Sequence, residues 1–264
     1  MTSDGRRLLD HSRSAPDPSA PDPSAPDPSG PDHLVADEAD LEPPEVPVDG
    51  LRLVLVRHGQ TDANAGKVLD TALPGSPLNA LGHEQARTVA DLLADWPVRA
   101  VFASRATRAQ ETAAPIADAH GLSVTVLEGV HEISVGHLEG ASDAHSRRIF
   151  EDIYDGWWGG DLARPMPGGE SAADVRERAL PVVDEIVRAA EELPPGSAVV
   201  LVSHGATIRI TAAALLGDTV ETAYVPNTGR VVLARDPGSA SGWTLQLWDS
   251  GPALAGDVTA GATG

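Results

Sequence analysis

Residues 51–61 read LRLVLVRHGQT and residues 198–205 read AVVLVSHG. Each is a β-branched apolar run of buried-strand length that stops on a polar His-Gly pair, within Arg57-His58-Gly59 in the first and Ser203-His204-Gly205 in the second. Unbroken apolar runs of this kind mark strands covered on both faces. Residues 98–103 (VRAVFA) repeat the pattern and 124–126 (VTV) form a shorter candidate. Between them the apolar spacing turns helical. Ala86, Val89, Ala90, Leu93 and Trp96 recur at three- and four-residue steps, as do Val175, Ala179, Val182, Val183, Ile186, Val187 and Ala190. Ser171-Ala-Ala-Asp174 supplies a capping-box start for the second helix, and Pro181 within it predicts a kink or break near Leu180. Strands alternating with helices predict right-handed β-α-β units, hence a three-layer α/β/α sandwich around a mostly parallel sheet. Residues 230–235 (RVVLAR) and 243–248 (WTLQLW) flank Pro237-Gly238 and predict an antiparallel hairpin closing one edge.

Outward from this region the composition changes. Residues 1–49 hold the thrice-repeated SAPDP of 14–28 and read as a disordered acidic tail, because proline-rich, charge-rich sequence has too little apolar surface to pack. Residues 50–250 form the expected domain, and 251–264, rich in Gly, Ala and Thr, a second loose tail. The 264 residues carry a formal charge of −20. That charge argues against nucleic acid and against an acidic membrane surface, since both require a basic face. The absence of Cys excludes disulfides, thiolate nucleophiles and sulfur-based metal sites. No stretch reads as a signal peptide or a membrane span, so the expectation is a soluble, cytoplasmic protein, with a homodimer left open.

Ligands of parallel sheets bind outside the carboxyl ends of the strands. Arg57, His58, Gly59, Gln60 and Thr61 stand at one such end, His204 and Gly205 at another, and Ser104, Arg105 and Arg108 at a third, where a helix should open. If the three strands are neighbours, two imidazoles and at least two guanidiniums converge on one crevice. Such a crevice suits a phosphate dianion, since Arg offers paired donors and helix N-termini offer backbone N–H groups.

Taken together, Arg-His-Gly after the first strand, Ser-x-x-x-Arg-Ala-x-x-Thr over 104–112 and Ser-His-Gly after a later strand resemble the histidine phosphatase superfamily, the phosphoglycerate-mutase-like proteins, over roughly residues 52–250. The resemblance implies that His58 is the nucleophile that becomes phosphorylated. It also implies that Arg57 and Arg108 hold the phosphate oxygens, that His204 is the second imidazole of the pocket, and that Asn64 is a further phosphate contact. Thr61 and Gly205 are carried as substrate-binding candidates, and Gly59 as the residue that lets the chain turn tightly away from the strand. The family places a proton donor in the stretch Glu128-Gly-Val-His-Glu132-Ile-Ser-Val-Gly136-His-Leu-Glu139-Gly140, where the following Gly-x-x-Glu-Gly selects Glu132. Glu128 is the rival and Glu139 reads as a loop or capping residue. A carboxyl beside an anionic phosphate is disfavoured as the anion and so holds a proton near neutral pH. The implied reaction is phosphomonoester hydrolysis through two displacements at phosphorus, with no cofactor and no metal. His131-Glu132 and His137 lack the H-E-x-x-H spacing that would put two imidazoles on one helix face.

Two other readings stand beside it. A phosphoglycerate mutase would carry a Tyr-Gly after the acid and a Lys shortly beyond, whereas here Ile133-Ser134-Val135-Gly136 follows and the one Lys is Lys67. The pair Arg147-Arg148 keeps that alternative open as a second anion contact, against a plain reading as a solvated helix face. A non-catalytic scaffold that binds phosphorylated ligands is the other. Specificity falls to residues 141–169, where Phe150, Tyr154, Trp157 and Trp158 concentrate four of the nine aromatic side chains, part of them as cap packing.

Overall fold

A computed structural model of the protein describes residues 50–218 and 222–249. The acidic tail read over 1–49 and the loose tail read over 251–264 lie outside these residues. Six strands form one sheet: β1 (Arg52–Arg57), β2 (Val98–Ser104), β3 (Val124–Leu127), β4 (Ala198–Ser203), β5 (Arg230–Arg235) and β6 (Trp243–Trp248), in the order β3-β2-β4-β1-β5-β6. β1, β2, β3 and β4 pair in parallel, and β5 and β6 add the antiparallel hairpin at one edge.

The unbroken apolar runs are explained by what covers them. Successive side chains of a strand point to opposite faces. Val54, Val56, Val200 and Val202 therefore pack against α2 (Ala80–Leu93) and α3 (Thr107–Ala119) through Val89, Leu93, Ala113 and Ile116. Leu53, Leu55, Val199 and Leu201 pack on the other face against α5 (Ala172–Ala190) and α6 (Gly205–Leu215) through Val183, Ile186, Val187, Ile208 and Ala212. This is the three-layer α/β/α sandwich expected. A third apolar cluster lies beyond the sheet, where Trp157 and Ile153 of α4 (Ala144–Trp158) close on Ile133, Val135, Met166 and Val175. The short α1 (Asp62–Ala65) follows β1.

One expectation fails in part. α5 runs unbroken through Pro181. Proline removes one helical donor and strands the carbonyl four residues earlier. Here both Pro181 and Glu177 are exposed, so water can satisfy that carbonyl, while Val175 and Ala179 before the proline and Val183 and Ile186 after it are buried on one face and hold the helix together. The capping box at its start is formed, with Ser171 and Asp174 each accepting the other's backbone N–H. Among the described residues no helix is long and apolar enough to cross a membrane.

Candidate active site

β1 and β2 flank β4, and their carboxyl ends lie level, with Arg57 opposite Ser203 and Ala103 opposite Val202. Arg57 and His58 from β1, Arg108 from the first turn of α3 and His204 at the N-cap of α6 thus reach one crevice. The rings of His58 and His204 stand 5.1 Å apart, centroid to centroid. A cavity of about 210 Å³ opens over them, lined by Arg57, His58, Asn64, Arg108, Glu132 and Gly205 together with Val68, Leu69, Asp70, Thr71, Ile133, Phe150, Tyr154, Ala206 and Tyr224.

His58 is buried and held on both sides of its ring. Nδ1 lies 2.7 Å from the carbonyl oxygen of Gly59, which can only accept, so Nδ1 carries the proton. Arg108 Nε, which can only donate, lies 3.1 Å from Nε2, so Nε2 presents its lone pair to the crevice wall where the guanidinium sits. Burial and the charges of Arg108 and Arg57 push the His58 pKa well below its ordinary value, outweighing the bond to Gly59. Burial and the same Arg108 charge do so for His204. Both rings are neutral. Ser104 Oγ accepts the N–H of Ala106 at 3.2 Å and lies 2.7 Å from His204 Nε2, so its own proton is available to that nitrogen. His204 Nδ1 is buried without a hydrogen-bond partner.

The two arginines are fixed differently. Arg57 Nη1 donates to Tyr224 Oη at 2.7 Å and to the carbonyl of Val225 at 2.8 Å. Arg108 is nearly sealed from solvent, its Nη1 3.7 Å from Asp70 Oδ2 and without a hydrogen bond. A buried guanidinium with free donors is costly unless an anion completes it.

Glu132 sits on the loop after β3, with its carboxylate at the N-terminus of α6. Oε1 accepts the N–H groups of Ile133 (3.0 Å) and Thr207 (3.2 Å), and lies 3.1 Å from the Thr207 hydroxyl; Oε2 accepts only the Ala206 N–H, at 3.3 Å. The loop itself is clamped from α5. Arg178 donates to the carbonyls of Gly129 (2.7 Å), His131 (2.9 Å) and Glu132 (3.2 Å) and pairs through Nε and Nη2 with the two oxygens of Glu170. Glu170 in turn accepts the Ser134 N–H at 2.8 Å. Backbone contact here is so close that a side chain at Gly169 would collide with Ser134.

The sequence candidates fall into three groups. Arg57, His58, Arg108, Glu132, Asn64 and Gly205 line the cavity, and His204 is buried beside His58, outside the lining. Thr61 does not line it: its hydroxyl caps α1 by accepting the Asn64 N–H at 3.1 Å, while Asn64 Oδ1 accepts the Thr61 N–H. Glu128 is exposed and paired with Arg105, Glu139 accepts bonds from Thr71 and Ala72, and neither Arg147 nor Arg148 lines the cavity. Gly59 is required by contact, since a β-carbon there would stand 2.6 Å from the Gly82 carbonyl oxygen.

Sequence reasoning passed over several supports. Asn227 Nδ2 donates to the His58 carbonyl at 3.0 Å and to Asn64 Oδ1 at 3.2 Å, and Thr112 Oγ1 accepts the Gly59 N–H at 2.9 Å. Thr228 holds a left-handed backbone, φ 58°, while its N–H donates to the Arg57 carbonyl at 3.1 Å. A β-branched residue in that region is strained. The turn signal Pro226-Asn227-Thr228-Gly229 just before a strand was the clue available. Among the described residues no group of three or more His, Asp or Glu side chains is arranged to hold a metal ion.

A pocket of two neutral imidazoles, two guanidiniums and a carboxyl at strand ends defines a phosphoryl-transfer site of the histidine type. The family model of the histidine phosphatase superfamily, branch 1, matches residues 53–250, and the chain belongs to that superfamily. A glucosyl-3-phosphoglycerate phosphatase of Mycolicibacterium vanbaalenii is 33% identical over 230 residues, 78% of this chain and 98% of that protein. A probable phosphoglycerate mutase of Yersinia enterocolitica is 32% identical over 205 residues, 74% of this chain and 91% of the other. Among solved structures, a mycobacterial glucosyl-3-phosphoglycerate phosphatase in complex with VO3 aligns with a TM-score of 0.65 at 30% identity, covering 75% of this chain and 98% of that one. The protein is a phosphomonoester hydrolase of this superfamily.

Proposed function

We propose that the enzyme hydrolyses a small phosphate monoester through a phosphohistidine on His58, with Glu132 as proton donor and then proton acceptor. The observation that carries this reading is the fixed tautomer of His58, whose Nδ1–H is bound to Gly59 and whose Nε2 lone pair is free of any proton. In the first displacement Nε2 attacks phosphorus in line with the departing alkoxide, and Arg108 moves its donor from Nε2 to a phosphate oxygen. Arg57 and Arg108 stabilise charge on the equatorial oxygens, and Nδ1 of the buried His204, which has no hydrogen-bond partner, is the further donor. Glu132 Oε2, which accepts one N–H where Oε1 accepts two, carries the proton given to the leaving oxygen. In the second displacement the same carboxylate takes a proton from the attacking water, the P–N bond breaks and inorganic phosphate leaves.

The mutase alternative is weaker. The segment after Glu132 lacks the Tyr and Lys that the family resemblance would require, and Arg147 and Arg148 do not line the cavity. Turnover of p-nitrophenyl phosphate in the presence of a chelator tests the proposal. Steady phosphate release by the wild type with background release by His58→Ala is expected. Equal release by both proteins, or none by either, contradicts it.

A further inference from the structure

We infer that the leaving-group side of this pocket selects phosphate esters of uncharged alcohols that present an apolar or ring face, and disfavours esters whose alcohol carries a carboxylate. The inference rests on the phosphatase reading and adds the class of substrate. Both cations of the cavity, Arg57 and Arg108, belong to the phosphate end, where a dianion matches their charge. Beyond them the only charged side chain in the wall other than Glu132, among the described residues, is Asp70, an acid. Its carboxylate lies 3.7 Å from Arg108 Nη1 and so stands within a few ångströms of the phosphate position.

A carboxylate on the substrate would meet Asp70 with no third cation lining the cavity among the described residues. Lys67, Arg147 and Arg148, close in sequence to the wall residues Val68 and Phe150, are not among the described residues that line the cavity. A neighbouring cavity on the far side of Glu132 adds Glu139 and no Lys or Arg. Arg209 does not line the cavity: its guanidinium packs between two rings, 3.8 Å from the centre of Trp158 and 5.5 Å from that of Tyr154, and its Nη2 donates to the Thr222 carbonyl. Apart from Asn64 and Thr71, most of the remaining wall is apolar or aromatic. Phe150 and Tyr154 stack at 5.5 Å with an interplanar angle of 14°, and Leu69 and Ile133 also face the cavity. A flat or apolar leaving group gains from burial against such a surface, and Asp70 remains available to accept a hydroxyl proton of a neutral alcohol.

Two matched pairs test this. Glycerol 3-phosphate and 3-phosphoglycerate differ in having a hydroxymethyl or a carboxylate at the far carbon; 2-phenylethyl and ethyl phosphate differ in the ring. We expect kcat/KM for glycerol 3-phosphate to exceed that for 3-phosphoglycerate by at least ~10-fold, the scale of one unscreened like-charge contact in a partly buried site. Asp70→Asn should shrink that ratio. The phenylethyl ester should exceed the ethyl ester by about tenfold or more, from burial of the ring, and Phe150→Ala should remove most of the gain. If either pair is too slow to follow, its members are compared as competitive inhibitors of p-nitrophenyl phosphate turnover, with the same order expected. A ratio near one or in favour of 3-phosphoglycerate, or equal values for the two alkyl esters, overturns the inference while p-nitrophenyl phosphate is still hydrolysed. Failure to hydrolyse p-nitrophenyl phosphate at all overturns the phosphatase reading and the inference with it.

Discussion

Gly59 and Arg108 hold opposite nitrogens of the His58 ring, so the nucleophile is prepared before substrate arrives. Its depressed pKa has a consequence for stability. The unfolded chain binds a proton on this imidazole near its ordinary value of 6.5, whereas the folded chain does not until the pH is well below that. Below 6.5 the unfolded state therefore holds more protons, and stability falls as pH falls; above 6.5 the term is constant. His204 acts with the same sign. Urea unfolding between pH 7.5 and about 5 should show this loss, and His58→Asn should flatten its slope by linkage. A slope unchanged by the substitution would mean that the ring is charged in the folded protein. For Glu132 the informative variable is the leaving group. Glu132→Gln should slow alkyl phosphates by roughly 10²–10⁴-fold in single turnover and p-nitrophenyl phosphate far less, because nitrophenolate departs without a proton. A uniform loss would assign Glu132 to positioning or to water activation instead.

At the scale of elements, α5 does more than cover the sheet. Through its Arg178, paired with Glu170 just before the helix, it fixes the carbonyls of Gly129, His131 and Glu132 and the Ser134 N–H of the loop that carries Glu132. Arg178→Ala should cost about 2–4 kcal/mol, as expected for breaking a largely buried ion pair and leaving carbonyls unpaired. It should also weaken acid assistance, lowering alkyl turnover more than aryl. Arg178→Lys should recover little, because an ammonium cannot reproduce the paired geometry. Equal losses for both substrate types would limit α5 to a structural role. None of this was legible in the sequence, since Arg178 and Glu170 meet a loop some 40 residues earlier only through the fold. The strands, by contrast, were legible because residues such as Leu53 to Val56 are buried on both faces and must all be apolar. The capping box at Ser171 was legible because its chemistry is local. Pro181 misled for the opposite reason: its local penalty falls at an exposed position of the helix and is offset by packing on either side. Thr61 and Asn64 show the limit of a motif. Spacing from His58 marked both, but the structure uses Thr61 as a helix cap and brings Asn64 to the cavity.

For the whole molecule, the positive site is embedded in a chain of net charge −20, and twelve acidic residues against three Arg lie within the first 50 positions. Substrate attraction must therefore arise from the buried arginines at short range and not from the overall field. Deleting residues 1–48, whose composition supplies little apolar surface for a core, should leave the unfolding free energy within about 0.5 kcal/mol and kcat/KM for p-nitrophenyl phosphate nearly unchanged. A marked loss in either would assign the segment a working contact with the domain. The central claim, however, is covalent, and one measurement addresses it directly. The enzyme is mixed with excess p-nitrophenyl phosphate, quenched at alkaline pH within the first turnover, and the phosphoryl group is located by peptide mass spectrometry. The account predicts a single acid-labile phosphoryl group on His58, absent from His58→Ala. A phosphoryl group on His204 or any other residue, or burst-free hydrolysis with no adduct even when Glu132→Gln slows the second displacement, would contradict it.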